Sequence, residues 1–122
     1  MTTYDTTCFS ADVSDLLRPL GITRNMKAYR ILSDSLGLIR EQEDRLEAIQ
    51  KEVYEPLDEV HHCNWTAIQS IIRRAAQTAW TTNPELLQKL AGYPLNGTPS
   101  AVQFLEMLYN ALVRNDINRL NP

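Results

Sequence analysis

Residues 54–80 of this 122-residue chain read YEPLDEVHHCNWTAIQSIIRRAAQTAW, and this stretch decides the fold prediction. Pro56 suits the first turn of a short helix, and the polar residues 62–65 form a turn after it. A longer helix over 66–81 follows, because its apolar residues recur at helical spacing on one stripe. A short helix, a turn and a longer amphipathic helix together predict a helix-turn-helix. The stripe consists of Ile68, Ile72, Ala75, Ala79 and Trp80.

The opposite side of the longer helix is polar and has no acidic residue. No Asp or Glu occurs from His61 to Thr82, although the whole chain has 15 acidic and 12 basic residues and a net charge of −3. A face of short polar and basic side chains suits the major groove of DNA. The pattern alone fits an amphipathic core helix with a solvated face equally well, so both interpretations stay open. The side chains predicted on this face are Thr66, Ser70, Arg73, Arg74 and Gln77.

Length and composition predict one soluble domain. A chain of 122 residues can bury a single core without disulfides, and 43% hydrophobic and 22% charged residues are ordinary for a globular protein. No signal peptide and no apolar run long enough to span a membrane is found. We therefore expect a cytoplasmic protein whose two cysteines are reduced. We also expect a flexible arm over residues 1–9 and a single helical domain over residues 10–122.

The charge is unevenly distributed along the chain. Residues 40–59 include eight acids and three bases. Residues 16–33 include four bases and no acid, namely Arg18, Arg24, Lys27 and Arg30. The net negative charge argues weakly against non-specific nucleic-acid binding, because most such domains have a positive excess. The total charge nevertheless hides a dipolar arrangement.

Capping and breaking residues divide the rest of the chain into helices. A Ser, Thr or Asn side chain caps a helix start, proline fits a first turn, and glycine ends a helix. These signals predict helices over about 11–17, 23–40, 43–54, 56–62 and 66–81, then from 84 to Gly92 and from 98 onward. The predicted caps are Ser10, Thr23, Asn83 and Thr98, with either Asn64 or Thr66 at the longer helix. No strand pattern is found, so the predicted fold is all-α, a compact bundle of about six to seven helices.

Helical spacing also predicts which residues of the outer helices face the core. Pro56 is expected to break the preceding helix, because proline lacks an amide donor. Leu57 and Val60 are expected to anchor the short helix that follows. In the last helix the residues expected to face inward are Val102, Leu105, Leu108, Tyr109 and Leu112.

Short motifs spread over about ninety residues resemble one protein family. They are Leu20-Gly21-Ile22, Ile72-Arg73-Arg74-Ala75, Ala79-Trp80, Gly92-Tyr93, and Pro99 followed by Phe104 and Met107. In their order and spacing, residues from about 10 to 112 resemble the C-terminal DNA-binding effector domain of the sporulation response regulator, stage zero sporulation protein A. The resemblance implies a bacterial transcription regulator with an all-helical fold, whose helix-turn-helix binds promoter DNA in the major groove. It also implies that a helix near the end of the longer helix contacts RNA polymerase.

The start of the longer helix departs from the family pattern. Where the family has a serine, an arginine, a glutamate and a second arginine, this chain has Thr66, Ala67, Gln69 and Ser70. Arginine prefers guanine edges and glutamine can pair with adenine, so we expect this domain not to read the DNA box of the family. The family also has a phospho-accepting receiver domain upstream. Only nine residues precede the first predicted helix, so that switch is not expected in this chain.

Two functions from different classes remain open. The first is a transcription regulator that binds double-stranded DNA sequence-specifically, contacts RNA polymerase and forms a homodimer to double its few basic contacts. The second is a protein-interaction adaptor or inhibitor on a helix-turn-helix scaffold that no longer reads DNA; the missing arginines and the acidic total favour it. For the first function we predict that Asn64 and Thr66 contact phosphate at the helix start. The predicted base contacts are made by Gln69, Ser70 and Arg73 on the outer face of the helix. Arg74 and Gln77 are predicted to contact the DNA backbone beside them.

No pattern of an enzyme or of a cofactor site is found. His61, His62 and Cys63 are adjacent and cannot all reach one metal ion, and no second cluster exists to complete a site. The four glycines form no phosphate-binding loop, and the carboxylates of residues 41–59 fit a solvated helix face. We therefore predict no catalytic residue, no metal and no cofactor.

Overall fold

The computed structural model describes the backbone of residues 6–120 and the side chains of residues 9–114. Over this range the chain is helical and has no strand, which confirms the predicted all-α class. The α-helices are α1 Thr6–Leu17, α2 Lys27–Glu41, α3 Glu55–His61, α4 Trp65–Thr82, α5 Pro84–Ala91 and α6 Ala101–Leu120. A 3-10 turn Arg18–Leu20 follows α1, and a 3-10 segment Glu43–Ala48 and a π-helical segment Gln50–Tyr54 join α2 to α3. The arm predicted over residues 1–9 lies partly outside the described residues, and its flexibility stays a prediction.

The core of the domain surrounds α4, which packs against both α2 and α6. Its predicted stripe is confirmed, since Ile68, Ile72, Ala75 and Ala79 are buried, and Trp80 is half-buried against the core. Ala76 is also buried, so the inner face is wider than predicted. The same core cluster contains fully buried side chains of α2 and α6, among them Ile31, Leu32, Leu36, Phe104, Leu105 and Leu108. Because close-packed neighbours hold α4 on two sides, the direction of its outer face is fixed.

Gly21 fixes the contact between the corner after α1 and the end of α4. Its φ is 87°, in the left-handed region that glycine adopts without steric cost. A Cβ atom at this position would lie 2.9 Å from Thr82 Oγ1 and 3.5 Å from Thr78 Cγ2. Glycine is therefore required twice here, by the backbone angle and by the close approach. The predicted end of the first helical segment at Pro19 and Gly21 is confirmed.

The turn between α3 and α4 is formed by local hydrogen bonds. His62 adopts a left-handed backbone with a φ of 53°, which is uncommon for a residue other than glycine. The Cys63 amide then donates to the Asp58 carbonyl oxygen at 3.1 Å. His61 is turned to α2, where its Nε2 lies 2.8 Å from Asp34 Oδ2. This contact joins α3 to α2, so both helices of the helix-turn-helix have neighbours in the bundle.

Two helix starts differ from the prediction in the first part of the chain. α1 begins at Thr6, so Ser10 lies inside the helix and does not cap it. α2 begins at Lys27 rather than at Thr23. The Met26 amide first donates to the Thr23 carbonyl oxygen at 3.0 Å, and this closes a turn before the helix.

The start of α6 also differs from the prediction. Ser100 is the cap instead of Thr98: its Oγ accepts from the Gln103 amide at 3.2 Å, and Gln103 Oε1 accepts from the Ser100 amide at 3.0 Å. This reciprocal pair is a capping box. Val102, the second residue of α6, is 36% exposed, so its predicted inward position is wrong. The other residues predicted inward, Leu105, Leu108, Tyr109 and Leu112, are buried.

The helix predicted over residues 43–54 is present, but it is not a single α-helix. The segment is 3-10 and then π-helical, and it continues into α3 without a break, because Tyr54 keeps helical backbone angles. Pro56 lies in the first turn of α3, where a missing amide costs little, so it does not interrupt the chain as predicted. Leu57 is buried as expected. Val60 is 60% exposed, so its predicted role as an anchor is also wrong.

The predicted boundaries of α5 are confirmed. Asn83 Oδ1 accepts from the Leu86 amide at 3.2 Å, Pro84 follows in the first turn, and Gly92 ends the helix with a φ of 83°. No helix in the described part of the chain is both long and apolar enough to cross a membrane.

Candidate nucleic-acid interface

Asn64 begins α4 and decides between the two predicted caps. Its Oδ1 accepts from the Thr66 amide at 2.9 Å and from the Thr66 hydroxyl at 3.0 Å. The carboxamide oxygen of Asn64 is therefore occupied inside the turn, and so is the hydroxyl proton of Thr66. The Asn64 side-chain NH₂ has two N–H donors, and neither donates a hydrogen bond to another described residue. At this end of α4, Asn64 is the side chain free to donate to an anion.

The outer face of α4 brings together all seven residues that the sequence placed in a DNA-contacting surface. A helix repeats every 3.6 residues, so Thr66, Ser70, Arg73 and Gln77 form one row, with Gln69 and Arg74 on either side. Gln69 and Ser70 are half-buried, and the other members are exposed. Arg73 Nη2 lies 3.5 Å from Ser70 Oγ, at the outer limit of a hydrogen bond. Asn64 completes the set at the start of the helix.

The two arginines give this face an uncompensated positive charge. In the described part of the chain, neither Arg73 nor Arg74 lies within 4.0 Å of a carboxylate oxygen. No acidic residue occurs anywhere in α4. A guanidinium keeps its charge at every physiological pH, so both positive charges persist on this face although the net charge of the chain is −3.

The polar face continues beyond the predicted residues to the end of α4. Arg74 and Gln77 line an open depression with three threonines that the sequence reasoning did not include, Thr78, Thr81 and Thr82. The signal for them was present, because 74, 78 and 82 follow one another at a spacing of four residues, as do 77 and 81. Every side chain that lines this depression can form hydrogen bonds, and none is acidic.

The other flank of the α4 start is acidic. Trp65 is half-buried and packs against the core, and beside it Glu55, Pro56, Asp58 and Glu59 of α3 line an open cleft. In a helix-turn-helix the first helix crosses the DNA backbone, where carboxylates repel phosphate. The sequence showed these acids on a solvated face, but their position next to Trp65 depends on the turn geometry.

The adjacent His61, His62 and Cys63 do not converge. His61 faces Asp34, whereas His62 lies in the left-handed turn and is exposed. In the part of the chain that the structure describes, no three His, Cys, Asp or Glu side chains are grouped as a metal would require.

A family comparison agrees with this geometry. The family model described as sporulation initiation factor Spo0A C terminal matches residues 13–112, which is well over half of the chain. The matched range includes all of α2 to α5, and therefore the whole unit of α3, turn and α4. Members of this family are DNA-binding effector domains of a sporulation regulator, and the family is not enzymatic. The chain belongs to the Spo0A C-terminal family of DNA-binding effector domains.

Proposed function

We propose that this domain is a transcription regulator that binds double-stranded DNA sequence-specifically, with α4 in the major groove. The observation that supports the proposal most directly is the outer face of α4, which is polar, free of acid and has two unpaired arginine charges. α4 has 18 residues, hence a length of about 27 Å. The major groove is about 12 Å wide, so the helix is long enough to cross it and to reach phosphates at both edges.

Gln69, Ser70 and Arg73 are the proposed base-reading residues. A guanidinium can donate two hydrogen bonds to guanine, and a carboxamide can pair with adenine in the same two-point manner. Ser70 is close enough to Arg73 to restrict the orientation of its guanidinium. The proposed site thus has one guanine-preferring and one adenine-preferring side chain on a single helix face.

The proposed backbone contacts lie on either side of the base-reading residues. Asn64 and Thr66 are at the start of α4, where the positive end of the helix dipole favours a phosphate and the Asn64 NH₂ can donate to it. Arg74 and Gln77 are on the flank and toward the end of the helix. Phosphate contacts of this kind fix the register of a protein on the duplex and do not themselves specify sequence.

Selection from a random duplex library, at low and at physiological salt, tests the proposal. The wild-type domain should enrich one short motif. Arg73→Ala should lose about 1–3 kcal/mol of affinity for that motif. Lys89→Ala, which removes an exposed base on α5, is the matched control and should bind as the wild type does.

Two results would contradict the proposal in different ways. No enriched motif at either salt concentration would exclude sequence-specific binding. An enriched motif with unchanged affinity in Arg73→Ala would keep the function and remove Arg73 from base reading. Arg74→Ala separates the backbone role: the slope of log affinity against log salt should become shallower by about one unit.

A protein-interaction adaptor or inhibitor is the competing function. The acidic cleft around Trp65 favours it, because Glu55, Asp58 and Glu59 flank the start of α4 where a DNA-binding domain usually has bases. A heparin column discriminates between the two functions. A DNA-binding domain should stay bound well above physiological salt, whereas an acidic adaptor should flow through.

RNA polymerase and a second copy of the chain are further proposed partners. α5 follows α4 directly and exposes Glu85 and Lys89, so a polymerase subunit bound beside the promoter could reach it. A homodimer is supported by the small number of bases on α4, since a pair doubles the phosphate contacts. Light scattering of the domain with duplexes that have one or two copies of the selected motif measures the stoichiometry directly.

A further inference from the structure

The proposed function assigns no DNA contact to three basic residues outside α4. Arg24, Lys27 and Arg30, here called the basic strip, are exposed, and none pairs with a carboxylate in the described part of the chain. Arg18 and Arg45, by contrast, are engaged within the protein. Arg18 lies 3.8 Å from Asp15 and donates to Ser14 at 3.0 Å, and Arg45 lies near two glutamates.

The basic strip lies at an electrostatically unfavourable place in the fold. Lys27 is the first residue of α2, and Arg30 is one turn further on the same side, so their Cβ atoms are about 5–6 Å apart. The first turn of α2 has no acidic residue, and Met26 provides no side-chain cap. Cations are repelled by the positive end of a helix dipole. The next acid on α2, Asp34, is engaged with His61. In the described part of the chain, no carboxylate therefore lies within 4.0 Å of the charged groups of Lys27 and Arg30.

The basic strip follows a corner that touches the end of the α4 face. Gly21 approaches Thr78 and Thr82, and these threonines share their depression with Arg74 and Gln77. Arg24 is three residues beyond Gly21, so their Cα atoms are at most about 11 Å apart. The bases of the strip thus begin close to the end of the proposed DNA-contacting face.

We propose that the basic strip binds phosphates of the same duplex, beyond the C-terminal end of α4. This inference rests on the proposed function and extends its contact surface to α2. Double-stranded DNA suits the strip because it has one negative charge per about 1.7 Å of axis, so neighbouring cations can each find a phosphate. Contacts of this kind add affinity without altering which sequence is preferred. They also explain how an acidic domain with two arginines on its reading helix can hold a duplex.

A pair of charge-matched triple variants tests the inference. Arg24→Gln, Lys27→Gln and Arg30→Gln are combined in the strip variant. Lys51→Gln, Lys89→Gln and Arg114→Gln, all at exposed positions, form the control with the same reduction in positive charge. The slope of log affinity against log salt is measured on the selected motif. In the strip variant it should become shallower by about 0.9 for each phosphate that is no longer neutralised, or about 2 to 3 in all, and the control should change by less than one.

Stability provides an independent readout. The thermal midpoint of the strip variant should equal or exceed that of the wild type, because cations leave the positive end of α2. Lys27→Gln alone should show the same direction, with a slope change of about 0.9. Weaker DNA binding together with retained stability therefore shows that the strip itself binds phosphate and that the variant has not unfolded. The selected motif itself should be unchanged in the strip variant.

The outcomes separate this inference from the proposed function. Equal slopes in the strip variant and in the control overturn the inference, while reduced affinity in Arg73→Ala still supports the function. If the wild type binds no duplex at either salt concentration, both are overturned. If the strip variant binds DNA as the control does but no longer self-associates in light scattering, the strip contacts a second copy, and the inference is overturned.

Discussion

The two faces of α4 contrast sharply within one helix. The inner face is apolar and buried, with Ile68 and Ile72 fully inaccessible and alanines where α2 and α6 come close. The outer face has two arginines, hydroxyls and carboxamides, and in the described part of the chain neither arginine is paired with a carboxylate. Packing therefore determines the residue types of the inner face, whereas packing within the domain places little constraint on those of the outer face.

This contrast predicts that substitutions on the two faces change different properties of the domain. Changes on the inner face should alter the free energy of unfolding and leave sequence preference alone. Changes on the outer face should alter DNA binding and leave stability nearly unchanged, because surface substitutions typically change it by about 0.5 kcal/mol or less.

Ile72→Ala should have the largest effect. Removal of a fully buried branched side chain leaves a cavity and costs about 2–5 kcal/mol. Urea unfolding measures the decrease in stability, and Arg73→Ala is the neighbouring control, which should stay near the wild-type value. At concentrations where Ile72→Ala remains folded, it should select the same DNA motif. A different motif would mean that the inner packing also sets the reading geometry.

Arg73→Lys and Arg74→Lys should divide the outer face into two roles. A lysine cannot reproduce the planar fork of a guanidinium, so Arg73→Lys should lose about 1–3 kcal/mol of discrimination between bases while the salt slope is kept. Arg74→Lys should retain affinity and motif, because phosphate accepts a point charge. Competition with mismatched duplexes measures both. An equal decrease in discrimination in the two variants would contradict the division.

High pH should destabilise the buried scaffold without altering the charge of the arginines. Burial raises the pKa of Tyr54 to about 12, and burial followed by the hydrogen bond to Glu43 raises the pKa of Tyr109 to about 12. Above about pH 10 the unfolded chain releases these protons while the folded chain keeps them. Stability should then fall by about 1.4 kcal/mol per pH unit for each tyrosine until about pH 12.

Urea unfolding at a series of alkaline pH values measures this fall, and Tyr54→Phe is the control. The Tyr54 hydroxyl is buried and has no hydrogen-bond partner in the structure, so its removal should not destabilise the domain at neutral pH. The variant should show a smaller decline above about pH 10. A wild-type free energy of unfolding that stays constant as the pH rises above about 10 would contradict the burial of Tyr54 and Tyr109.

Asn64→Asp should have the smallest effect, and it tests both the cap of α4 and the proposed phosphate contact. Aspartate caps a helix about as well as asparagine, so the stability should be within about 0.5 kcal/mol of the wild type. The substitution replaces the free NH₂ donors of Asn64 with a negative charge. Repulsion from a nearby phosphate should reduce DNA affinity by about 1 kcal/mol. Unchanged affinity would show that the α4 start does not approach the backbone.

Local signals predicted α4 and α5 because each depends on residues close in sequence. The cap at Asn83, the stop at Gly92 and the stripe from Ile68 to Ala79 all involve spacings of a few residues. The sequence left the cap of α4 undecided between Asn64 and Thr66. Both side chains take part in the observed hydrogen bonds, so residue type alone could not distinguish them.

Residues 43–54 make contacts that the pattern of apolar residues does not indicate. Tyr109, 66 positions away, donates to Glu43 at 2.8 Å, and Arg45 donates to the Glu52 carbonyl oxygen at 2.7 Å. The pattern therefore predicted a helix here but not its 3-10 and π-helical turns. The wrong placement of Val60 has a similar origin. The spacing of apolar residues shows which side chains share one face of a helix. The way in which neighbouring helices are connected determines whether that face points to the core.

The seven site residues were predicted from two kinds of information. Helical periodicity placed Thr66, Ser70, Arg73, Arg74 and Gln77 outward, and they lie there. Family resemblance added the roles, which the proposed experiments test. The threonines at the end of α4 and the acids around Trp65 were missed as parts of the surface, since their proximity depends on how α3, the turn and α4 are joined.

Trp65 and Trp80 are the only tryptophans of the chain, and they lie near the two ends of α4. At 1.5 Å per residue they are about 22 Å apart along the helix. Both indoles are half-buried, so their emission depends on solvent and on nearby charge. Tryptophan fluorescence, excited at a wavelength that tyrosine does not absorb, therefore reports on α4 alone. Trp65→Phe and Trp80→Phe would leave one emitter each, so that a titration could tell which end of the helix a ligand reaches first.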